Sequence, residues 1–107
     1  MDAFGTVTSR TNSTAVVSVR GEVDLYTAPH LWESIDAAIA DVPSELVIDL
    51  THVRFLDSTG LSLLVRAHKR LRPFGAKIVV RGAQSDVYRS LELTRLTKVL
   101  KVEASPG

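Results

Sequence analysis

Residues 46–64 read Leu-Val-Ile-Asp-Leu-Thr-His-Val-Arg-Phe-Leu-Asp-Ser-Thr-Gly-Leu-Ser-Leu-Leu, and the order of their side chains decides the fold. Leu46 to Leu50 is an apolar run broken only by Asp49 and too short for a helix, the pattern of a strand buried on both faces. Helical spacing begins at Leu61. Between the two, Asp57-Ser58-Thr59-Gly60 offers short oxygen-bearing side chains that can accept from free backbone N–H groups, and a glycine that allows a tight turn. Strand, loop and helix start therefore follow one another. The free N–H groups and positive dipole end of such a helix start tolerate negative charge, so a hydroxyl there sits where an anion would be accommodated.

Downstream, Leu61, Leu64, Val65, His68 and Leu71 recur at helical spacing as the expected buried stripe of this helix, with Arg66, Lys69 and Arg70 facing water. Pro73 and Gly75 end it. Lys77 to Arg81, centred on Ile78-Val79-Val80, is another buried strand. Ser85, with Asp86 in the first turn, opens a third helix with Val87, Tyr88 and Leu91 inward. Thr97 to Val102 is expected as the last strand and Ala104 to Gly107 as a loose tail.

Upstream, Pro43 separates the central strand from a helix expected from about Ala28 to Ala40. Thr27 is its expected N-cap, Pro29 falls in the first turn, and Leu31, Ile35, Ala38, Ile39 and Val42 share one face. Trp32, next to Leu31, extends that face into the core. Phe4 to Ser9 and Ala15 to Arg20 form an antiparallel hairpin around Thr11-Asn12-Ser13, because a parallel pair would need a crossover. Gly21 is expected to end the second strand and Glu22 to Leu25 to run on as a loop. The predicted order is β-β-α-β-α-β-α-β, an α/β fold in which right-handed crossovers place helices over a small mixed β-sheet. At 107 residues, 1–107 is expected to be a single domain.

Hydrophobic residues at 45% and charged residues at 23% are ordinary for a folded domain and exclude wholesale disorder. No apolar run approaches the ~18 residues of a membrane span, and the polar start Met1 to Gly5 is no signal peptide, so the expectation is a cytoplasmic protein without membrane contact. With no cysteine, disulfides, a thiolate nucleophile and cysteine-ligated metals are excluded. Net charge is +1 but unevenly spread: residues 1–57 hold nine acids against three arginines (−6), and residues 58–107 hold ten basic residues against three acids (+7). Arg66, Lys69 and Arg70 follow the polar side of a helix, as a solvated face requires, so no nucleic-acid partner is expected.

Enzyme chemistry finds no foothold. Asp57-Ser58-Thr59-Gly60 superficially resembles an aspartic protease signature, but there one hydroxyl residue precedes the glycine and the fold is all-β. His30, His52 and His68 are available to a hydrolase, yet no G-x-S-x-G elbow occurs, and His68 lies on the apolar stripe where a packed histidine is the simpler reading. No P-loop or dinucleotide pattern and no histidine pair with metal-ligand spacing is present, so neither catalytic residues, cofactor nor metal is expected. For Ser58 and Thr59 the plain reading is helix capping; Asp57 offers another cap, Asp24 a turn residue or solvated acid, and Asp49 an anchor for the turn that follows it.

Asp49-Leu50-Thr51, then Val53, Phe55 and Leu56, then Asp57-Ser58-Thr59-Gly60-Leu61, with Gly21-Glu22-Val23-Asp24 upstream, resemble the anti-sigma factor antagonists of the STAS domain family. The resemblance covers nearly the whole chain and implies the same fold, in which members often carry a further C-terminal helix. It implies that Ser58 is a phosphoacceptor with Thr59 the runner-up, and that Asp24, Asp57, Ser58, Thr59, Gly60 and Leu61 form a partner-binding surface. It further implies a cycle. The unphosphorylated domain binds an anti-sigma factor serine kinase and frees the sigma factor. The kinase then phosphorylates Ser58 and the complex dissociates, and a metal-dependent serine phosphatase restores the binding form. The alternative within the same fold is an unphosphorylated docking subunit of a lipid-transport or other membrane transporter complex, which the intact serine motif disfavours.

Overall fold

The computed structural model, which describes residues 3–105, is built around β3 (Glu45–Leu56). Its sheet has the order β1 (Gly5–Thr11), β2 (Thr14–Val23), β3, β4 (Lys77–Ala83), β5 (Lys101–Ala104), with β1 antiparallel to β2 and every later pair parallel. The connections are α1 (Ala28–Ile39), α2 (Ser58–Leu71) and α3 (Ser85–Leu93). Because the spatial order follows the chain order, right-handed crossovers put all three helices on one face. Val17 and Val19 of β2, Leu46, Ile48 and Leu50 of β3, and Val80 of β4 alternate onto that face and share one core with Leu31, Ile35, Leu64, Leu71, Val87 and Leu91 of the helices. The predicted element order and α/β class match this architecture.

The other face has no helix over it among the described residues, yet Val47 and Val79 are only 1% and 4% exposed. Register explains this. Val16, Val47 and Val79 lie side by side, flanked by the rows Thr14–Glu45–Lys77 and Ser18–Asp49–Arg81. The aliphatic stems of the long charged residues cover the valines while their ends stay in water, and Arg81 and Lys101 meet Glu103 at 3.8 and 3.9 Å. β3 is thus buried on both faces, as its apolar run requires, with side chains in place of a second helical layer.

Several local expectations are corrected. β2 runs past Gly21 to Val23; Gly21 sits in an irregularity of the ladder at φ +95°, and a Cβ there would come within 2.8 Å of the Phe4 backbone, so this glycine bends the strand without ending it. Val42 lies beyond the end of α1, at φ +46° and 40% exposed, so it is no part of the apolar face. In α2 the buried line is Gly60, Leu63, Leu64, Ala67 and Leu71, with Leu61, Val65 and His68 only half-buried. Large side chains suggested one stripe, but the small Gly60 and Ala67 let the helix approach the sheet, and burial of each large residue is worth about 1.5–3 kcal/mol, which sets the helix rotation.

The segment expected as a strand from Thr97 instead forms a 3₁₀ turn at Leu96–Lys98, where Leu96 C=O accepts from Val99 and Leu100 N–H and both leucines are buried. Only Lys101–Ala104 pairs with β4, and of the expected tail Pro106 and Gly107 lie outside the described residues. Asp49 bonds Thr51 through Oδ1, at 2.9 Å to the backbone N–H and 2.6 Å to the hydroxyl, but within β3, since no turn follows it. Thr27 occupies the N-cap position of α1 without capping: its hydroxyl donates to Glu22 C=O at 2.8 Å and accepts from Asp24 N–H at 2.9 Å.

Candidate functional site

Val23 and Leu56 are the last paired residues of β2 and β3, and the Asp57 N–H donates to Val23 C=O at 3.1 Å. Asp24 and Asp57 therefore leave neighbouring parallel strands side by side, at the carboxyl ends where open α/β sheets bind their ligands. Each carboxylate serves the backbone beyond it through Oδ1. Asp24 accepts from Tyr26 N–H at 2.9 Å and Thr27 N–H at 3.1 Å, an Asx turn that aims the chain into α1. Asp57, extended at φ −90° and ψ −171°, accepts from Thr59 N–H at 2.9 Å and Gly60 N–H at 3.2 Å and is the N-cap of α2. Neither Oδ2 has a partner among the described residues.

With Asp57 as the cap, Ser58 is spared that role. It is the first residue of α2, exposed, and its hydroxyl makes no hydrogen bond among the described residues, although its carbonyl accepts from the Ser62 hydroxyl at 2.9 Å. Thr59 is half-buried and its hydroxyl is also unbonded there. Gly60 is buried against the strand ends; a Cβ would stand 2.7 Å from Leu56 Cδ1 and 2.8 Å from Val23 Cγ1. That close approach seats the first turn of α2 on the ends of β2 and β3. Leu61 is half-buried, its N–H donating to Asp57 C=O at 3.0 Å.

Two large apolar residues stand in water on the Asp24 side of this loop, Leu25 at 66% and Tyr26 at 84% exposed, and a third, Phe55 at 48%, faces α3, where it lines a cleft with Asp86 and Ser90. The sequence reading passed over them. Their signal was present, since Leu25-Tyr26 is an apolar pair in a loop with no periodic partner and Phe55 alternates outward from the buried Leu56. Trp32, expected in the core, packs against it from the edge: the ring is half-buried, with the Arg66 guanidinium of α2 4.0 Å from its centroid. His30, His52 and His68 fall on three separate elements, and no group of three or more His, Asp or Glu among the described residues could hold a metal.

A protein-family model described as the STAS domain matches residues 6–107. This chain belongs to the STAS domain family. Over 91 residues it is 35% identical to an anti-sigma-B factor antagonist of Listeria monocytogenes, covering 85% of this chain and 80% of the relative. Over 94 residues it is 40% identical to the anti-sigma-F factor antagonist RsfB of Mycobacterium tuberculosis, covering 85% and 74%. The crystal structure of an anti-sigma factor antagonist from Mycobacterium paratuberculosis superposes with a TM-score of 0.82 at 38% identity, covering 98% of this chain and 87% of that one. Within this STAS domain the residues taken from the resemblance gather at one end of the sheet: Asp57 to Leu61 cap and open α2, and Asp24 stands on the adjoining loop. No described helix of the domain is long and apolar enough to cross a membrane.

Proposed function

We propose that this STAS domain is a cytoplasmic anti-sigma factor antagonist, a binding protein controlled by phosphorylation of Ser58. The observation that carries the reading is the exposed, unbonded Ser58 hydroxyl at a helix start capped by its neighbour Asp57, beside the exposed Leu25 and Tyr26 of the adjoining loop. An unbonded hydroxyl is open to a kinase, and exposed apolar residues beside it suit a protein partner. The names of the relatives supply the partner class, an anti-sigma factor, and the family resemblance implies that this partner is also a serine kinase. In the unphosphorylated state Asp24, Asp57, Ser58, Thr59 and Leu61 pack against that kinase, with Gly60 of the expected surface buried beneath them, and the sigma factor is released. Transfer of the ATP γ-phosphoryl group to Ser58 Oγ, with ADP and the hydroxyl proton leaving, places a dianion beside Asp57 and Asp24 and ends binding. A serine phosphatase hydrolyses the ester and restores the binding form.

Incubation with ATP and the anti-sigma factor kinases of its own genome, followed by mass spectrometry, tests this. One phosphate is expected, on Ser58, and Ser58→Ala should abolish it in a protein whose circular dichroism is unchanged. A phosphate on Thr59 or elsewhere overturns the site. Association with a transporter subunit and with none of the kinases would establish the docking alternative instead.

A further inference from the structure

Beside the Ser58 loop, α1 and α2 flank an open surface cleft of about 350 Å³. Leu25, Pro29 and Leu63 supply apolar walls, Thr59 opens it toward Ser58, and Trp32 and Arg66 close the far side. The lining is unusual in its charge. Arg70, 5.9 Å from the Trp32 centroid, is matched by Asp36 at 3.4 Å, whereas Arg66, closer over the same ring, has no ion pair among the described residues. A guanidinium held over an indole is orientated and only weakly hydrated, which leaves its donors ready for a carboxylate. Leu25, two-thirds exposed, is a rim residue with no covering group.

We propose that this cleft receives an apolar side chain of the anti-sigma factor, with an acidic residue of that partner pairing with Arg66. The inference rests on the function proposed above and adds a second contact to it. Two observations select this occupant. Thr59 belongs both to the cleft and to the serine loop, so a partner seated on Ser58 reaches the cleft without a gap. The charge also changes sign along the surface, from Asp24 and Asp57 at the loop to Arg66 at the cleft. A complementary segment is basic, then apolar, then acidic. The two contacts respond differently to the switch: phosphate on Ser58 opposes the acidic half and leaves the cleft half intact, so the phosphorylated domain keeps a weak residual affinity supplied by the cleft.

The test is a calorimetric titration of wild type, Arg66→Lys, Arg66→Glu and Leu25→Ser with the genome-encoded kinase that binds wild type. Both positions are exposed, and circular dichroism checks each fold. Arg66→Glu should weaken binding by about ten-fold or more, Arg66→Lys less, and Leu25→Ser should also weaken it. Trp32 is the chain's one tryptophan, so its ¹⁹F signal after 5-fluorotryptophan labelling should shift when the kinase binds. Binding of wild type and Arg66→Glu within two-fold of one another, with a stationary ¹⁹F signal, overturns the cleft contact and leaves the Ser58 reading standing. Failure of every such kinase to bind wild type removes the proposed function and this inference together.

Discussion

Two helices of this domain begin alike and are finished differently. At α2 and at α3 a strand of the same sheet ends, one polar residue follows, and a serine takes the first helical position: Leu56-Asp57-Ser58 in one case, Ala83-Gln84-Ser85 in the other. At α2 the polar residue is the cap, its carboxylate bonding two backbone N–H groups. At α3 it is not; Gln84 Nε2 donates across to Thr51 C=O at 2.9 Å and α3 starts with no side-chain cap. Both serines are exposed. What separates them is the setting: Ser58 stands on a helix clamped through Gly60 and beside the exposed Leu25 and Tyr26, and Ser85 opens a helix with no such glycine and lines a cleft with Arg54 and Asp86. A serine at a helix start is common, and the clamp with its apolar neighbours is what makes one of them a candidate switch.

The largest effect expected from that difference is on binding. A phosphate on Ser58 brings about −1.5 to −2 charge at neutral pH, next to Asp57. The dipole and free N–H groups of α2 offset only about 0.3–1 kcal/mol of this at an exposed end. That suffices to keep the free domain folded. A partner packed on the loop would have to desolvate the dianion among carboxylates, which costs about 2–5 kcal/mol, so affinity for the kinase should fall roughly 30-fold or more. Ser58→Glu, with less charge and fewer oxygens, should weaken binding less. Calorimetry of the three forms measures it; equal affinities refute an electrostatic switch, and widespread change in the NMR spectrum of the free phosphoprotein points to a conformational one.

Next comes the clamp. Gly60→Val places new atoms where Leu56 and Val23 already stand, and overpacking of this kind costs about 1–3 kcal/mol. For a domain of this length each kcal/mol lowers the thermal midpoint by roughly 4–8 °C. A midpoint within a degree of wild type would mean that α2 is free to shift, and the seating of the Ser58 turn would go with it.

How much of this contrast the sequence disclosed depends on which force fixed each feature. Element order and the α/β class were legible because burial is written as periodicity, in Leu46–Leu50 and in Leu31, Ile35 and Ala38. The rotation of α2 was not, because periodicity counts large residues and the close approach is made by Gly60 and Ala67. The turn at Leu96–Lys98 was hidden for a similar reason: Leu96 and Leu100 bury themselves across one turn, a spacing that a short apolar run does not distinguish from a strand. At the site, the motif located the loop but left Asp57, Ser58 and Thr59 as equal candidates for the cap, since all three carry an acceptor. Backbone geometry separates them, because only Asp57 is extended ahead of the helix. Trp32 packs against the core as its neighbour Leu31 suggests, but the arginine over its ring lies on another helix, outside any local pattern.

The cap itself is the third, smaller effect. Asp57→Ala leaves Thr59 and Gly60 N–H without their acceptor and should cost about 0.5–2 kcal/mol, whereas Asp57→Asn keeps an acceptor oxygen and should cost only a few tenths. Urea unfolding of both variants decides it. If alanine and asparagine destabilise equally, the carboxylate contributes through its charge at the helix dipole and not as a hydrogen-bonding cap, which would bring α2 and α3 closer together than the geometry has them.

The smallest effect is the sharpest control. Ser85 makes no side-chain hydrogen bond among the described residues and is exposed, so Ser85→Ala should change stability by less than about 0.5 kcal/mol. Mass spectrometry of the kinase reaction should find no phosphate on Ser85, even though it occupies the same helical position as Ser58 and its hydroxyl is as accessible. The physical grounds are local. Among the described residues no glycine packs the first turn of α3 against the strand ends as Gly60 does for α2, so the Ser85 hydroxyl is not presented on a comparably seated turn. Equal phosphorylation of the two serines would show that a helix start with an exposed hydroxyl is sufficient for the kinase, and the apolar residues beside Ser58 would then have to serve binding alone. Phosphorylation confined to Ser58 but unaffected when Leu25 and Tyr26 are each replaced by serine would assign recognition to the helix clamp and the Asp57 cap instead.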